Sequence, residues 1–100
     1  MYSFQEEFKQ GIENLQEERK SQKKRPYDVH YRRLPHDPQV CIMACIRGGS
    51  SGRSVEVTLI GRDCKVIIPQ TDIQKTFRKN ELNRIIECIK GFLENPLANK

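Results

Sequence analysis

The sequence predicts one small α+β domain: a helix, an antiparallel meander of three or four strands, and a second helix, with the helices packed on the sheet. Phe4, Phe8, Ile12 and Leu15 recur at helical spacing near one end, and Leu82, Ile85, Ile86, Ile89, Phe92 and Leu93 near the other. Between them lie short runs of β-formers broken by Pro, Gly and Asp. A chain of 100 residues has room for a single hydrophobic core, so residues 1–100 are read as one domain. Connections this short favour pairing between strands adjacent in sequence.

Ser3 followed by Glu6 reads as a capping box, which starts the first helix at Phe4. Its apolar stripe ends near Leu15, and Gly11 costs it about 1 kcal/mol relative to Ala. Residues 16–25 are wholly polar, so the helix either projects into solvent or frays before Pro26. Residues 27–33 alternate as an edge strand, with Tyr27, Val29 and Tyr31 on one side and Asp28, His30 and Arg32 on the other. Residues 34–38, with two prolines and an Asp, form a turn. The unbroken apolar run 40–46 reads as a central strand buried on both faces. Residues 47–53 form a flexible Gly/Ser hairpin loop with Arg47 and Arg53 at its ends. Val55, Val57 and Leu59 alternate with Glu56 and Thr58, residues 61–63 turn the chain, and residues 64–68 make another strand. Thr71 or Asp72 then caps a short turn of helix, with Gln74 in the reciprocal position, before a restart at Asn80. That restart accounts for Ile73 and Phe77, which fall out of phase with the later stripe. The last helix ends before Pro96.

The formal net charge is +5, and its distribution says more than its size. Residues 1–18 hold five glutamates against Lys9 alone, net −4; residues 19–36 hold seven cations against Asp28, net +6; the remainder is net +3. Positive charge therefore gathers at the helix exit, residues 19–26, and attracts acidic or phosphate-rich partners. The opening residues lack the basic-then-apolar layout of a secretory signal, and no apolar run approaches the roughly 20 residues of a membrane span. The expectation is a soluble chain kept inside the cell, cytoplasmic or nuclear, with no membrane contact.

The four cysteines sit in core-like surroundings and read as free thiols. Cys41 and Cys45 in a strand would lie ~13 Å apart, too far to share one tetrahedral ion, and His30 and His36 show no ligand spacing. No metal or cofactor is implied. The glutamates of the first helix form a solvated face, and no nucleophile-elbow grouping is present. The loop at 48–52 lacks the Lys-Ser/Thr ending and the following helix of a phosphate-binding turn. An enzyme is not expected.

The basic residues carry the functional expectation. Lys20, Lys23, Lys24 and Arg25 at the helix exit, Tyr27, Tyr31, Arg32 and Arg33 in and after the first strand, Arg47 and Arg53 at the loop, and Lys75, Arg78 and Lys79 before the last helix form the candidate nucleic-acid-binding set. Lys and Arg neutralise phosphates with counterion release, and tyrosines stack on bases, a combination that suits RNA read by shape and phosphate contact. The plainer reading of the same residues is a solvated surface.

The helix–strands–helix order resembles the double-stranded-RNA-binding domain, with Pro26-Tyr27 before the first strand and Pro35-His36 in the turn after it. Leu34 stands where that family has a glycine, and residues 74–79 replace its lysine- and alanine-rich helix opening. The same order also resembles the small Alu-RNA-binding subunits of the signal recognition particle. Both likenesses imply RNA as partner. The competing expectation is a protein-interaction or dimerisation adaptor using an exposed sheet face or the C-terminal helix, with a second copy of the chain as one candidate cover for residues 42–46. Residues 20–33 and 75–79 on one surface would favour RNA; cations scattered over the molecule would favour the adaptor.

Overall fold

A computed structural model of the chain describes residues 4–32, 40–49, 52–69 and 71–94, with the backbone alone for residues 40–43. Helix α1 spans Phe4–Ser21 and buries Phe8, Ile12 and Leu15. Ser3, its proposed cap, lies outside the described residues. The polar tail of α1 does not fray, because it has distant partners. Gln16 donates from its amide to the Tyr27 carbonyl (2.8 Å) and accepts the Tyr27 N–H (2.8 Å), which seals the chain against the helix before the first strand. The helix then stops in a left-handed turn. Lys23 takes φ 60°, its N–H reaches the Lys20 carbonyl (3.0 Å), and the Lys24 N–H reaches that of Arg19 (2.9 Å). This is the Schellman arrangement, with a lysine where glycine is usual.

Five strands follow: β1 Asp28–Tyr31, β2 Val40–Arg47, β3 Ser54–Ile60, β4 Asp63–Ile67 and β5 Gln74–Arg78. They pair antiparallel in the order β1-β2-β3-β4-β5, a meander closed by helix α2, Leu82–Glu94. The α+β class and the helix–meander–helix order hold, but the sheet has five strands rather than three or four. The additional strand is β5, where a capped helical turn was expected. Thr71 caps no helix. Its hydroxyl donates to the Ile68 carbonyl (2.6 Å) and accepts the Ile73 N–H (3.1 Å), bending the chain back so that Phe77 pairs with Cys64 and Lys75 with Val66. Ile73 and Phe77 were out of helical phase because Phe77 belongs to a strand and Ile73 leads into it. The three-stranded sheet implied by the double-stranded-RNA-binding resemblance is likewise exceeded. The turn expected at 34–38 lies outside the described residues.

Strand register sorts the side chains. Val29, Ile46 and Val55 align across one face, as do Ala44, Val57 and Val66, then Leu59, Cys64 and Phe77. These residues join Phe8, Ile12, Ile85, Ile89 and Leu93 in one buried cluster, so both helices cover the same face. The expected burial of β2 on both faces is not met at Cys45, which is half-buried on the side away from the helices. A register shift between Ile42 and Ala44 marks a bulge in β2. The open face alternates in charge: Asp28 lies opposite Arg47, Asp63 opposite Arg78, and Glu56 separates Cys45 from Ile67. Thr58 on this face is nonetheless buried, and among the described residues no Phe or Tyr lies on it.

Gly11 sets how the helices meet. A Cβ there would lie 2.9 Å from Ile86 Cδ1, so α1 and α2 approach where α1 has no side chain. Glu18 pairs with Lys90 and Arg19 with Glu94 further along, so the helices run side by side in the same direction. Among the described residues, no helix is long and apolar enough to cross a membrane.

Candidate functional site

The chain's order within the sheet decides where the cations fall. Residues 20–25 lead directly into β1, at the end of the sheet where Asp28, Arg47 and Ser54 align. Lys20, Lys23, Lys24 and Arg25 are all exposed, and none has a carboxylate partner among the described residues. Arg47 is exposed at the same end, and Arg53 is half-buried beside it. Arg32 is exposed just past β1. Arg33 lies outside the described residues.

Lys75, Arg78 and Lys79 are elsewhere. Lys75 and Arg78 belong to β5 and Lys79 directly follows it, at the opposite edge from β1 with three strands between. At about 4.8 Å per strand that separation is roughly 19 Å. Arg78 pairs with Asp63, and the Lys79 N–H bonds the Arg62 carbonyl (3.2 Å), so Arg62 joins them at the far end of the sheet. Arg62 escaped the sequence reading because only the β4–β5 pairing brings it to this corner. Residues 20–25 and 75–79 thus lie at opposite edges of the sheet.

The tyrosines divide too. Tyr27 is only 5% exposed; its hydroxyl donates to Glu94 Oε1 (2.8 Å) and the Arg19 guanidinium covers its ring at 4.3 Å. Burial, reinforced by the Glu94 hydrogen bond, pushes its hydroxyl pKa up to about 12. Arg19 also binds Glu94 (2.7 Å) and the Arg25 carbonyl, so this cluster ties the end of α1, the start of β1 and the last turn of α2. Tyr27 therefore has no free ring face for a base. Tyr31 is 42% exposed, on the helix side of β1, with Lys9 Nζ 5.0 Å from its ring centroid. Burial and then the Glu13 charge raise its pKa.

A second feature was not visible in the sequence. A groove of about 750 Å³ runs between α1 and α2, lined by Glu6, Glu7, Gln10, Gly11, Asn14, Leu15 and Glu18 on one wall and Leu82, Asn83, Ile86 and Glu87 on the other. Its floor is apolar, its rim carries four glutamates, and among the described residues no lysine or arginine lines it. Just beyond, Lys90 donates to Glu18 (2.7 Å) and its pKa is raised by that bond, with the Glu87 and Glu94 charges adding. The first-helix glutamates that read as a solvated face are one bank of this groove. A smaller groove of about 640 Å³ flanks β5 and α2, with Lys75, Arg84, Glu87 and Cys88 on it.

The Cys64 and Cys88 thiols are poorly suited to nucleophilic work. Burial pushes the Cys64 pKa up to about 12, with Cys88 adding and Lys79 opposing, and burial raises Cys88 as well. Among the described residues, no group of three His, Cys, Asp or Glu side chains gathers to hold a metal ion. No family model, curated protein or solved structure matches the chain.

Proposed function

We propose that the chain is a non-enzymatic docking module that engages a protein partner through the outer surface of its paired helices. One observation carries this reading: the helices leave between them a groove with an apolar floor and polar banks, while residues 20–25 and 75–79 lie at opposite edges of the sheet. Grooves between helices with an apolar floor are a common seat for partner segments. The open sheet face is the weaker docking surface, since Glu56, Asp63 and Lys65 interrupt its apolar residues.

A second reading has its own observation. Lys20, Lys23, Lys24 and Arg25 are four exposed cations in six residues, and Lys23 is held in a left-handed conformation that glycine would adopt at less cost. This corner suits a short stretch of RNA backbone.

A photo-reactive residue placed at Asn83 in the groove, and separately at Lys23, separates the two in extracts of the source cell. Docking predicts protein adducts at position 83 that survive nuclease. Adducts confined to position 23 and abolished by nuclease would overturn it in favour of RNA.

A further inference from the structure

We propose that the groove between α1 and α2 receives a cationic amphipathic helix from the partner, an inference that rests on the docking reading and specifies its chemistry. Three features of the groove select this occupant.

The first is charge. The chain as a whole is net +5, yet the groove has four glutamates on its banks and, among the described residues, no lining cation. Glu18 is committed to Lys90, but Glu7 and Glu87 stand on opposite banks with no ion pair among the described residues. A phosphate backbone or an acidic peptide would meet repulsion there; lysines and arginines would meet complementary charge. Glu7 lies in the first turn of α1.

The second is the floor. Leu82 and Ile86 are only partly covered by the core they pack against, and Gly11 offers no side chain above Ile86. An occupant must supply apolar side chains to cover them. The chain's own basic segment, residues 20–25, has none, so a second copy offering that segment would leave the floor wet.

The third is the walls. Both are α-helices, whose backbone groups bond internally, so the groove offers no sheet edge to an extended peptide. A ligand here has to satisfy its own backbone, which a helix does. The α1 bank runs from Glu6 to Glu18, and at 1.5 Å per residue that is about 18 Å, the length of roughly 12 helical residues. The occupant lies with its apolar side on Leu82 and Ile86 and its cations toward Glu7 and Glu87.

The test uses the full chain and a fluorescein-labelled leucine/lysine helix of roughly 12 residues, with a leucine/glutamate helix of equal length as control, read by anisotropy and by amide-shift mapping. The lysine helix should bind at low ionic strength and weaken as salt rises, with shifts concentrated in residues 6–18 and 82–87. The exposed double variant Glu7→Lys/Glu87→Lys should weaken binding by roughly tenfold or more, since like charges at an interface cost several kcal/mol. A matched pair at a distant site, Asp72→Lys/Asp28→Lys, should not. Equal affinity for the double variant, equal binding of the glutamate helix, shifts centred elsewhere, or no binding at low salt would each overturn the inference. If position 83 still captures a protein while the lysine helix fails to bind, docking survives and the cationic chemistry does not.

Discussion

Gly49 sits where the β2–β3 hairpin touches the end of α2, and replacing it with alanine should be among the costliest small changes in the molecule. Its φ is 79°, and a Cβ there would lie 2.5 Å from the Leu93 carbonyl oxygen and 2.5 Å from Glu94 Oε1. The left-handed backbone alone costs a non-glycine residue about 1–2 kcal/mol. Forcing apart a packed contact adds about 1–3 kcal/mol. The obstructing atoms cannot step aside freely: one is backbone, and the other holds both Arg19 and the Tyr27 hydroxyl. The total is about 2–5 kcal/mol, a large fraction of the ~5–15 kcal/mol that holds a small domain together. Gly52 is the internal control. It shares the conformation, φ 69°, but among the described residues a Cβ there meets nothing within 4 Å, so Gly52→Ala should cost only the backbone term, about 1–2 kcal/mol. Thermal unfolding of the two variants should separate them clearly, since 1 kcal/mol moves Tm by roughly 4–8 °C in a domain of this size. Equal Tm values would refute the docking of the hairpin onto α2.

Further variants test the rest of the scaffold. Lys23→Gly should stabilise the chain by about 1 kcal/mol, because the C′ position of a Schellman turn favours glycine; urea unfolding measures it, and a loss of stability would contradict the turn. Tyr27→Phe should cost about 1–2 kcal/mol by the same assay, since it removes a hydrogen bond to the Glu94 carboxylate while Arg19 keeps its pair. In alkali, stability should decline. The Cys64 and Tyr27 pKa values are both raised in the fold to about 12, so their contribution is fully present below the unfolded values, near 9 and 10, and is lost as pH climbs toward 12. The slope is at most about 1.4 kcal/mol per pH unit for each group, and Cys64→Val should remove the part that begins near pH 9. A pH profile unchanged by that substitution would contradict the burial of the thiol.

Legibility of the fold tracked how local each determinant is. The stripes of α1 and α2, the alternation in β3 and the turn before Asp63 rest on neighbours within a few residues, and the sequence announces them. β5 does not announce itself. Phe77 and Ile73, just before the strand, are four residues apart, a spacing that also suits a helix, and its strand character comes from pairing with β4. The tail of α1 read as solvent-facing because its partners are remote: Gln16 meets Tyr27, and Arg19 meets Glu94 at the far end of the chain. The candidate site was less legible still. Charge patterning located the basic block but not the meander that carries residues 75–79 to the other edge. Gly11 counted as a cost to α1, whereas in three dimensions it is the point where α2 comes close and the groove acquires its floor. The glutamates facing that groove look like any solvated helix face until α2 is placed beside them.

The division of the cations is tested most directly by the salt dependence of single-stranded RNA binding, measured on the wild-type chain and on Lys75→Glu/Arg78→Glu/Lys79→Glu. With only residues 20–25 engaged, about four phosphates are neutralised and the log–log slope should be roughly 3 or less, since each contributes about 0.7. The triple variant should bind the same. A slope of roughly 5, cut back to roughly 3 in the triple variant, would mean that the two groups act on one strand and that the molecule is a polyanion-binding surface after all.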